Sequence, residues 1–142
     1  MPILSIPDVR QTADHDCGDA ACSAVLRFHG LTGRRVATLV DGTDPRTLEA
    51  VFWRSGLAVQ SGRMDVLDLR HHTRRGRPVV CLVTSDAGGG HWVVVAGVAR
   101  GSVHYHDPTH GTKRERSAKF AERWRDTDRL GHVFAGWGVA VG

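Results

Sequence analysis

The first half of the chain places apolar residues at helical spacing. Within 17–29, Ala21, Val25 and Phe28 recur every three or four positions, and Gly30 follows the last of them. This period puts the apolar side chains on one face of a helix, and a glycine after the last turn is a common terminator. The pattern therefore predicts an amphipathic helix over 17–29.

Acidic residues mark the starts of helices in this half. Asp44 is the first residue of a helical pattern over 44–55, and another helical pattern covers 65–75. Aspartate is a favoured N-cap because its carboxylate accepts hydrogen bonds from the free N–H groups of the first turn. For the helix over 17–29, we expect either Asp14 or Asp16 to be the cap.

Runs of β-branched residues, which favour strands, predominate in the second half of the chain. The predicted strands cover 57–61, 78–84, 91–99, 102–107 and 133–141. A short helix is predicted over 117–125. Helices followed by an antiparallel sheet indicate an α+β fold, and 142 residues fit one domain, 1–142.

Composition narrows the class of protein. The N-terminus lacks the basic and apolar regions of a signal peptide, and no apolar run approaches the roughly 20 residues of a membrane span. Three cysteines cannot all pair, which indicates free thiols in a reducing compartment, so the expected location is cytoplasmic. Cys22 and Cys81 lie in apolar stretches and are predicted to be core residues, whereas Cys17 has polar neighbours.

The net charge of +4 comes mainly from arginine-rich stretches. Aromatic residues do not interleave with these stretches, so we interpret them as a solvated basic surface and expect no nucleic acid as a partner. Such a surface would also attract acidic peptides.

Cys17 is the first candidate for chemistry. It begins the predicted helix over 17–29, and Gly18 follows it. The free N–H groups and partial positive charge of a helix N-terminus favour the thiolate, which is the nucleophilic form of cysteine. Gly18 would let a substrate approach the backbone closely. On position alone, a cysteine that only packs or caps a helix is the favoured interpretation.

His91 strengthens the catalytic interpretation. It opens the apolar strand 91–99 and follows a run of glycines that ends at Gly90, where a bend and a close substrate approach are possible. A cysteine nucleophile requires a proton acceptor within hydrogen-bond reach, and His91 is the candidate base.

Asp107 and Gln11 are the remaining candidates. Asp107 ends the strand after His91, and its carboxylate would orient the imidazole and fix its tautomer. A simple hairpin register pairs Asp107 with a residue near Val95, so a bulge or turn must bring it closer to His91. Gln11, six residues before Cys17, offers amide donors for an oxyanion, with the Cys17 N–H as a second donor.

These motifs together resemble the C39 peptidase family, a papain-like group typified by the peptidase domains of bacteriocin exporters. Gln-x5-Cys-Gly at a helix start, then HWVVVAGV, then VHYHDPTHG, carry the resemblance, which extends through residues 120–124. It implies a papain-like fold and a cysteine peptidase that cleaves after a double-glycine leader. By the motif match, Cys17 is the nucleophile, His91 the base, Asp107 the orienting carboxylate and Gln11 the oxyanion donor.

The resemblance also implies partners, and the chain differs from well-known members of the family. The expected partners are a peptide or protein with a Gly-Gly type of cleavage site and an export transporter, and no cofactor is implied. The best-known members are fused to membrane-spanning and ATPase regions, which this chain lacks, so we expect a stand-alone domain or a fragment of a longer protein. Trp92, beside His91, is expected to narrow the path to the nucleophile and to favour glycine before the cut.

Three alternatives stay open. His104, His106 and His110 near Asp107 could hold zinc, although no H-E-x-x-H or paired C-x-x-C motif supports it and no metal is predicted. A papain-like fold could also transfer the acyl group to an amine, as a transpeptidase does, or cut an isopeptide. The last alternative is a non-catalytic domain that binds the leader peptide.

Overall fold

The computed structural model describes residues 3–12, 17–31, 44–85, 89–127, 131 and 133–142. Four helices form within these ranges: α1 (Cys17–Phe28), α2 (Pro45–Arg54), α3 (Val66–Arg74) and α4 (Ser117–Arg123). The strands in the same ranges are β1 (Val59–Arg63), β2 (Val79–Thr84), β3 (Gly90–Ala99), β4 (Ser102–Asp107), β5 (Gly111–Arg116), β6 (Arg125–Thr127), β7 (Val133–Ala135) and β8 (Trp137–Val141). No described helix is both long enough and apolar enough to cross a membrane.

A six-stranded sheet forms the centre of the fold. Its strand order is β1-β8-β2-β3-β4-β5, and each neighbouring pair is antiparallel. The strands β6 and β7 form a separate antiparallel ribbon. The predicted α+β class, with helices packed on an antiparallel sheet, is confirmed.

Apolar side chains cover both faces of this sheet. One cluster joins α1 and α2 to the sheet through residues such as Val25, Phe52 and Trp92. The other joins α3 and the end of α4 to the opposite face, with Leu69 and Phe120 at its centre. Full burial of one large apolar side chain contributes about 1.5–3 kcal/mol, so both clusters stabilise the sheet that carries the site.

Side-chain caps fix two helix starts. The Asp44 carboxylate accepts a hydrogen bond from the Arg46 backbone N–H at 2.9 Å, as predicted for the N-cap of α2. At α3, Asp65 and Asp68 accept hydrogen bonds from each other's backbone N–H groups at 2.9 Å, which forms a capping box. The expected caps of α1, Asp14 and Asp16, lie outside the described residues.

Apart from shifts of one or two residues at element ends, as in β1, which begins at Val59 and not at 57, the structure differs from the predicted elements in three places. The polar strand β5 was not predicted, and it pairs with β4 at the edge of the sheet. The predicted helix 117–125 ends earlier, at Arg123, because the chain continues as β6. The predicted strand 133–141 is divided at Gly136, whose φ of 65° and close approach to the Met64 carbonyl leave no room for a Cβ.

Candidate active site

The β3–β4 hairpin brings His91 and Asp107 together. His91 lies near the start of β3, and Asp107 is the last residue of β4. Their side chains are both about one-tenth exposed, and His91 Nε2 lies 2.7 Å from Asp107 Oδ1. This distance is typical of a strong, charge-assisted hydrogen bond.

A bulge in the hairpin makes this contact possible. Val95 pairs with Tyr105, and the register shifts between Val95 and Gly97. The simple hairpin register therefore does not continue along the whole hairpin, and the expected adjustment is a bulge. The extra residue on β3 moves Asp107 one position closer to His91, which is the adjustment that the sequence required.

The electrostatics of the pair favour charge on both residues. Burial disfavours the imidazolium, but the hydrogen bonds to Asp107 and Cys17 outweigh it and raise the pKa of His91 to about 9. Burial also opposes ionisation of Asp107. The hydrogen bonds from His91 and from the Thr109 backbone N–H nevertheless hold the pKa of Asp107 well below its usual range. At neutral pH the pair is an imidazolium and a carboxylate.

Cys17 is the first residue of α1 and contacts this pair. Its thiol lies close enough to His91 to contribute, together with Asp107, to the raised pKa of the imidazole. Its polar neighbours suggested a position outside the core, but Cys17 is only 4% exposed and packs in the same apolar cluster as Trp92. Cys17, at the start of α1, therefore lies in the interior of the protein.

The other two thiols lie away from solvent, as predicted. Cys17, Cys22 and Cys81 are all free, and Cys22 and Cys81 have no exposed surface. Burial raises the pKa of both of these thiols, which keeps them protonated and unreactive in the folded protein.

Gln11 lies beside the turn that follows β4. Its backbone N–H donates to the Pro108 carbonyl at 3.0 Å, and its Oε1 accepts a hydrogen bond from the Thr109 hydroxyl at 2.9 Å. The amide is therefore attached to the residues that directly follow Asp107. The segment that joins Gln11 to Cys17 includes 13–16, which are outside the described residues.

The three candidates for substrate contact occupy different surroundings. Gly18 is buried in the first turn of α1, whereas Gly90 is exposed. A Cβ on Gly90 would overlap the Asp126 carboxylate, which explains why position 90 requires glycine. Trp92 is 1% exposed and belongs to the core, where its ring packs in the cluster that contains Cys17.

Sequence reasoning missed Thr109 and Asp126 as neighbours of the site. Thr109 had a local signal, because Asp-Pro-Thr places a carboxylate two residues before an N–H in the manner of an Asx turn. Asp126 had none, since it reaches Gly90 only through the packing of β6 across the end of the sheet.

The histidines near Asp107 do not form a metal centre in the structure. His106 is buried, and its Nε2 lies 3.0 Å from the carbonyl of Val9, to which it donates. His110 is exposed, with Nδ1 3.7 Å from Asp107 Oδ2. Within the described ranges, no group of three or more histidine, cysteine, aspartate or glutamate side chains has the geometry to hold a metal ion.

A thiol, an imidazole and a carboxylate joined in this order supply the groups that acyl transfer through a cysteine requires. The fold is that of the papain-like peptidases. The model of the Peptidase C39 family matches residues 5–127, and the chain belongs to this family. No curated protein matches the sequence at the significance required.

Solved structures share the fold. The peptidase domain of Streptococcus ComA, a bi-functional ABC transporter involved in a quorum-sensing pathway, aligns with a TM-score of 0.73 and 19% identity over 94% of this chain and 96% of that chain. A double glycine motif protease from an AMS/PCAT transporter, in complex with the leader peptide, aligns at 0.72 and 16% identity over 98% and 92%. A C39-like peptidase from Bacillus anthracis aligns at 0.76 and 16% identity over 99% and 96%.

Proposed function

We propose that this protein is a cysteine peptidase with Cys17 as nucleophile, His91 as base and acid, and Asp107 as the orienting carboxylate. The observation that carries the proposal is the position of His91, whose Nε2 lies 2.7 Å from Asp107 Oδ1 and whose pKa is raised by both Asp107 and the Cys17 thiol. A catalytic histidine needs a nucleophile on one side and an orienting group on the other.

In the proposed reaction, the Cys17 thiolate attacks the carbonyl carbon of the scissile bond. The oxyanion that forms accepts hydrogen bonds from the Gln11 amide and the Cys17 backbone N–H. The His91 imidazolium gives its proton to the leaving amine, the C–N bond breaks, and a thioester remains on Cys17. Water then attacks the thioester, with His91 taking its proton, and releases the carboxylic acid and the thiolate.

We further propose that the substrate is a peptide precursor cut after a double-glycine type of leader. A structural neighbour is described as a double glycine motif protease in complex with the leader peptide, which supports this substrate class. Of the three residues expected to contact small residues before the cut, Gly90 is exposed and is the proposed contact, whereas Gly18 and Trp92 are buried. Another neighbour is part of an ABC transporter, which supports an export transporter as a partner.

The test compares peptides that share one leader and end in Gly-Gly, Gly-Ala or Leu-Leu before the scissile bond, with cleavage followed by mass spectrometry. We expect Gly-Gly to be cut fastest, and Cys17→Ala to lower the rate by about 10⁴-fold or more, as loss of a nucleophile does in serine peptidases. Cys22→Ala is the matched control, since it removes a thiol from the same helix away from His91.

Each outcome addresses a different part of the proposal. Equal rates on the three peptides would remove the double-glycine specificity and leave the peptidase chemistry. Cleavage by Cys17→Ala at the rate of the unmodified protein would remove Cys17 from the mechanism. Products that carry an added amine nucleophile, in place of free acid, would identify acyl transfer as the main reaction.

A further inference from the structure

We propose that Thr109 is a positioning residue, whose hydroxyl holds the Gln11 amide in the orientation that an oxyanion requires. The proposal rests on the proposed function, because it assigns to Thr109 a role in the same reaction. It concerns the turn directly after Asp107, which the sequence motif does not assign to catalysis.

Thr109 bonds to two candidate catalytic groups at once. Its backbone N–H donates to Asp107 Oδ1 at 2.8 Å, the same oxygen that lies 2.7 Å from His91 Nε2. Its hydroxyl donates to Gln11 Oε1 at 2.9 Å. One residue therefore connects the orienting carboxylate with the proposed oxyanion donor.

The backbone on either side of this contact is fixed by other bonds. The Gln11 N–H donates to the Pro108 carbonyl at 3.0 Å, and the buried His106 ring donates to the carbonyl of Val9 at 3.0 Å. These bonds attach the segment of Gln11 to the end of β4 without help from the Thr109 hydroxyl. What the hydroxyl adds is control of the side-chain amide.

Control of that amide matters because its two ends are nearly equal in size but opposite in chemistry. The oxygen of a glutamine accepts hydrogen bonds, and only its NH₂ group donates them. In the structure the Thr109 hydroxyl donates to Oε1, which anchors that end of the amide and leaves the NH₂ group directed away from Thr109. An oxyanion requires that donor, and an inverted amide would place an oxygen against it instead.

The first test compares two substitutions at this exposed position. Thr109→Val removes the hydroxyl while keeping the shape and the backbone N–H bond to Asp107. Loss of a whole oxyanion donor costs about 10²–10³-fold in kcat, so a misoriented donor should cost about tenfold, with KM within about twofold. Thr109→Ser keeps the hydroxyl and should restore kcat. The assay uses the peptide that the unmodified protein cleaves fastest.

Two further measurements separate positioning from general damage. In the Gln11→Ala background, Thr109→Val should have no additional effect on kcat, since the amide it orients is gone. Alkylation of Cys17 by iodoacetamide should proceed at the unmodified rate in Thr109→Val, because that displacement forms no oxyanion on a carbonyl. A normal kcat in Thr109→Val, or a full tenfold loss on top of Gln11→Ala, would overturn the proposal.

Failure of the proposed function would look different. If Cys17→Ala retained cleavage, the cysteine mechanism itself would fail, whatever the result at Thr109. If Cys17→Ala were inactive and Thr109→Val fully active, the cysteine mechanism would stand and only the role of Thr109 would be lost.

Discussion

Opposing electrostatic effects determine the charge of the His91 imidazole. Desolvation favours a neutral ring, whereas the Asp107 carboxylate and the Cys17 thiol favour the imidazolium, and the outcome is a pKa raised to about 9. A ring that is charged at neutral pH stabilises a neighbouring thiolate and already carries the proton that a leaving amine needs. Asp107 thus contributes to the proposed chemistry through the charge state of His91.

This charge state predicts the pH dependence of cleavage. Since the raised pKa keeps His91 protonated below about pH 9, kcat/KM should fall as the pH rises through that value and the imidazolium is lost. Asp107→Asn removes a negative charge that favours the imidazolium, so the alkaline limb should move to lower pH. Rates between about pH 6 and about pH 10 on the fastest-cleaved peptide measure the alkaline limb of the unmodified protein and that of Asp107→Asn.

The control for that profile is His71→Gln, which changes an exposed histidine on α3 outside the site. It should leave the alkaline limb where it is. An alkaline limb that is identical in the unmodified protein and in Asp107→Asn would contradict the assignment of that limb to His91.

At the scale of elements, local signals predicted the strands of the site better than their register. The start of α1 and the hairpin β3–β4 followed from apolar runs and glycines. The need for an adjustment within the hairpin also followed, but the position of the bulge between Val95 and Gly97 did not, because its neighbours come from a distant segment. The Leu4 N–H donates to the Ala96 carbonyl at 2.9 Å, and a Cβ on Gly97 would overlap the Ile3 side chain.

The edge strand β5 was missed for a related reason. Its sequence, GTKRER, lacks the apolar residues that mark a strand, and backbone pairing with β4 forms it instead. On β5, the partly buried Glu115 forms an ion pair in which Arg123 Nε donates to Glu115 Oε1 at 2.7 Å. Charged edge strands of this kind resist pairing with other chains, and they carry little hydrophobic signal.

The contact between β3 and β6 gives a prediction at this scale. A Cβ on Gly90 would overlap the Asp126 carboxylate, and its distance to Asp126 Cγ would be 2.7 Å. Gly90→Ala should therefore lower the free energy of unfolding by about 1–3 kcal/mol, the usual cost of an overpacked site. Urea unfolding measures the change, and Asp126→Ala in the same chain should recover most of the loss.

The matched control for this substitution is the preceding residue. Gly89 has no atom within 4 Å of an added Cβ, so Gly89→Ala should change stability much less than Gly90→Ala. An equal loss in both variants, or a loss in Gly90→Ala that Asp126→Ala does not relieve, would show that the carboxylate is not the obstacle.

For the whole molecule, amphipathic patterns predicted that the helices pack on a sheet but not on which face. Leu69 of α3 and Phe120 of α4 lie against the face opposite to α1, and nothing local in their segments encodes that choice. The same limit applies to the site. The residue types and order indicated Cys17 and His91, whereas the bond of Gln11 to Thr109 depends on how the N-terminal segment lies on the sheet.

Two of the cysteines lie in the cores on opposite faces of the six-stranded sheet. Cys22 is buried in the cluster with α1 and α2, and Cys81 is buried in the cluster on the opposite face. The two clusters share the strands of one sheet, because neighbouring residues of β2 point alternately into each. A sheet with a core on both faces loses both cores when its strands separate, which is the physical basis for expecting the chain to unfold as one domain.

Thiol labelling along a urea series tests that expectation. In the native protein, Cys17 should react with iodoacetamide at least about tenfold faster than Cys22 or Cys81, because it lies beside His91 at the start of α1 while burial raises the pKa of the other two thiols. Cys22 and Cys81 should then become reactive at one common urea concentration, which should coincide with the loss of secondary structure. Peptide mapping by mass spectrometry assigns each label.

Two separate midpoints would show that the cores unfold independently, and equal native labelling of all three thiols would remove the pairing of Cys17 with His91.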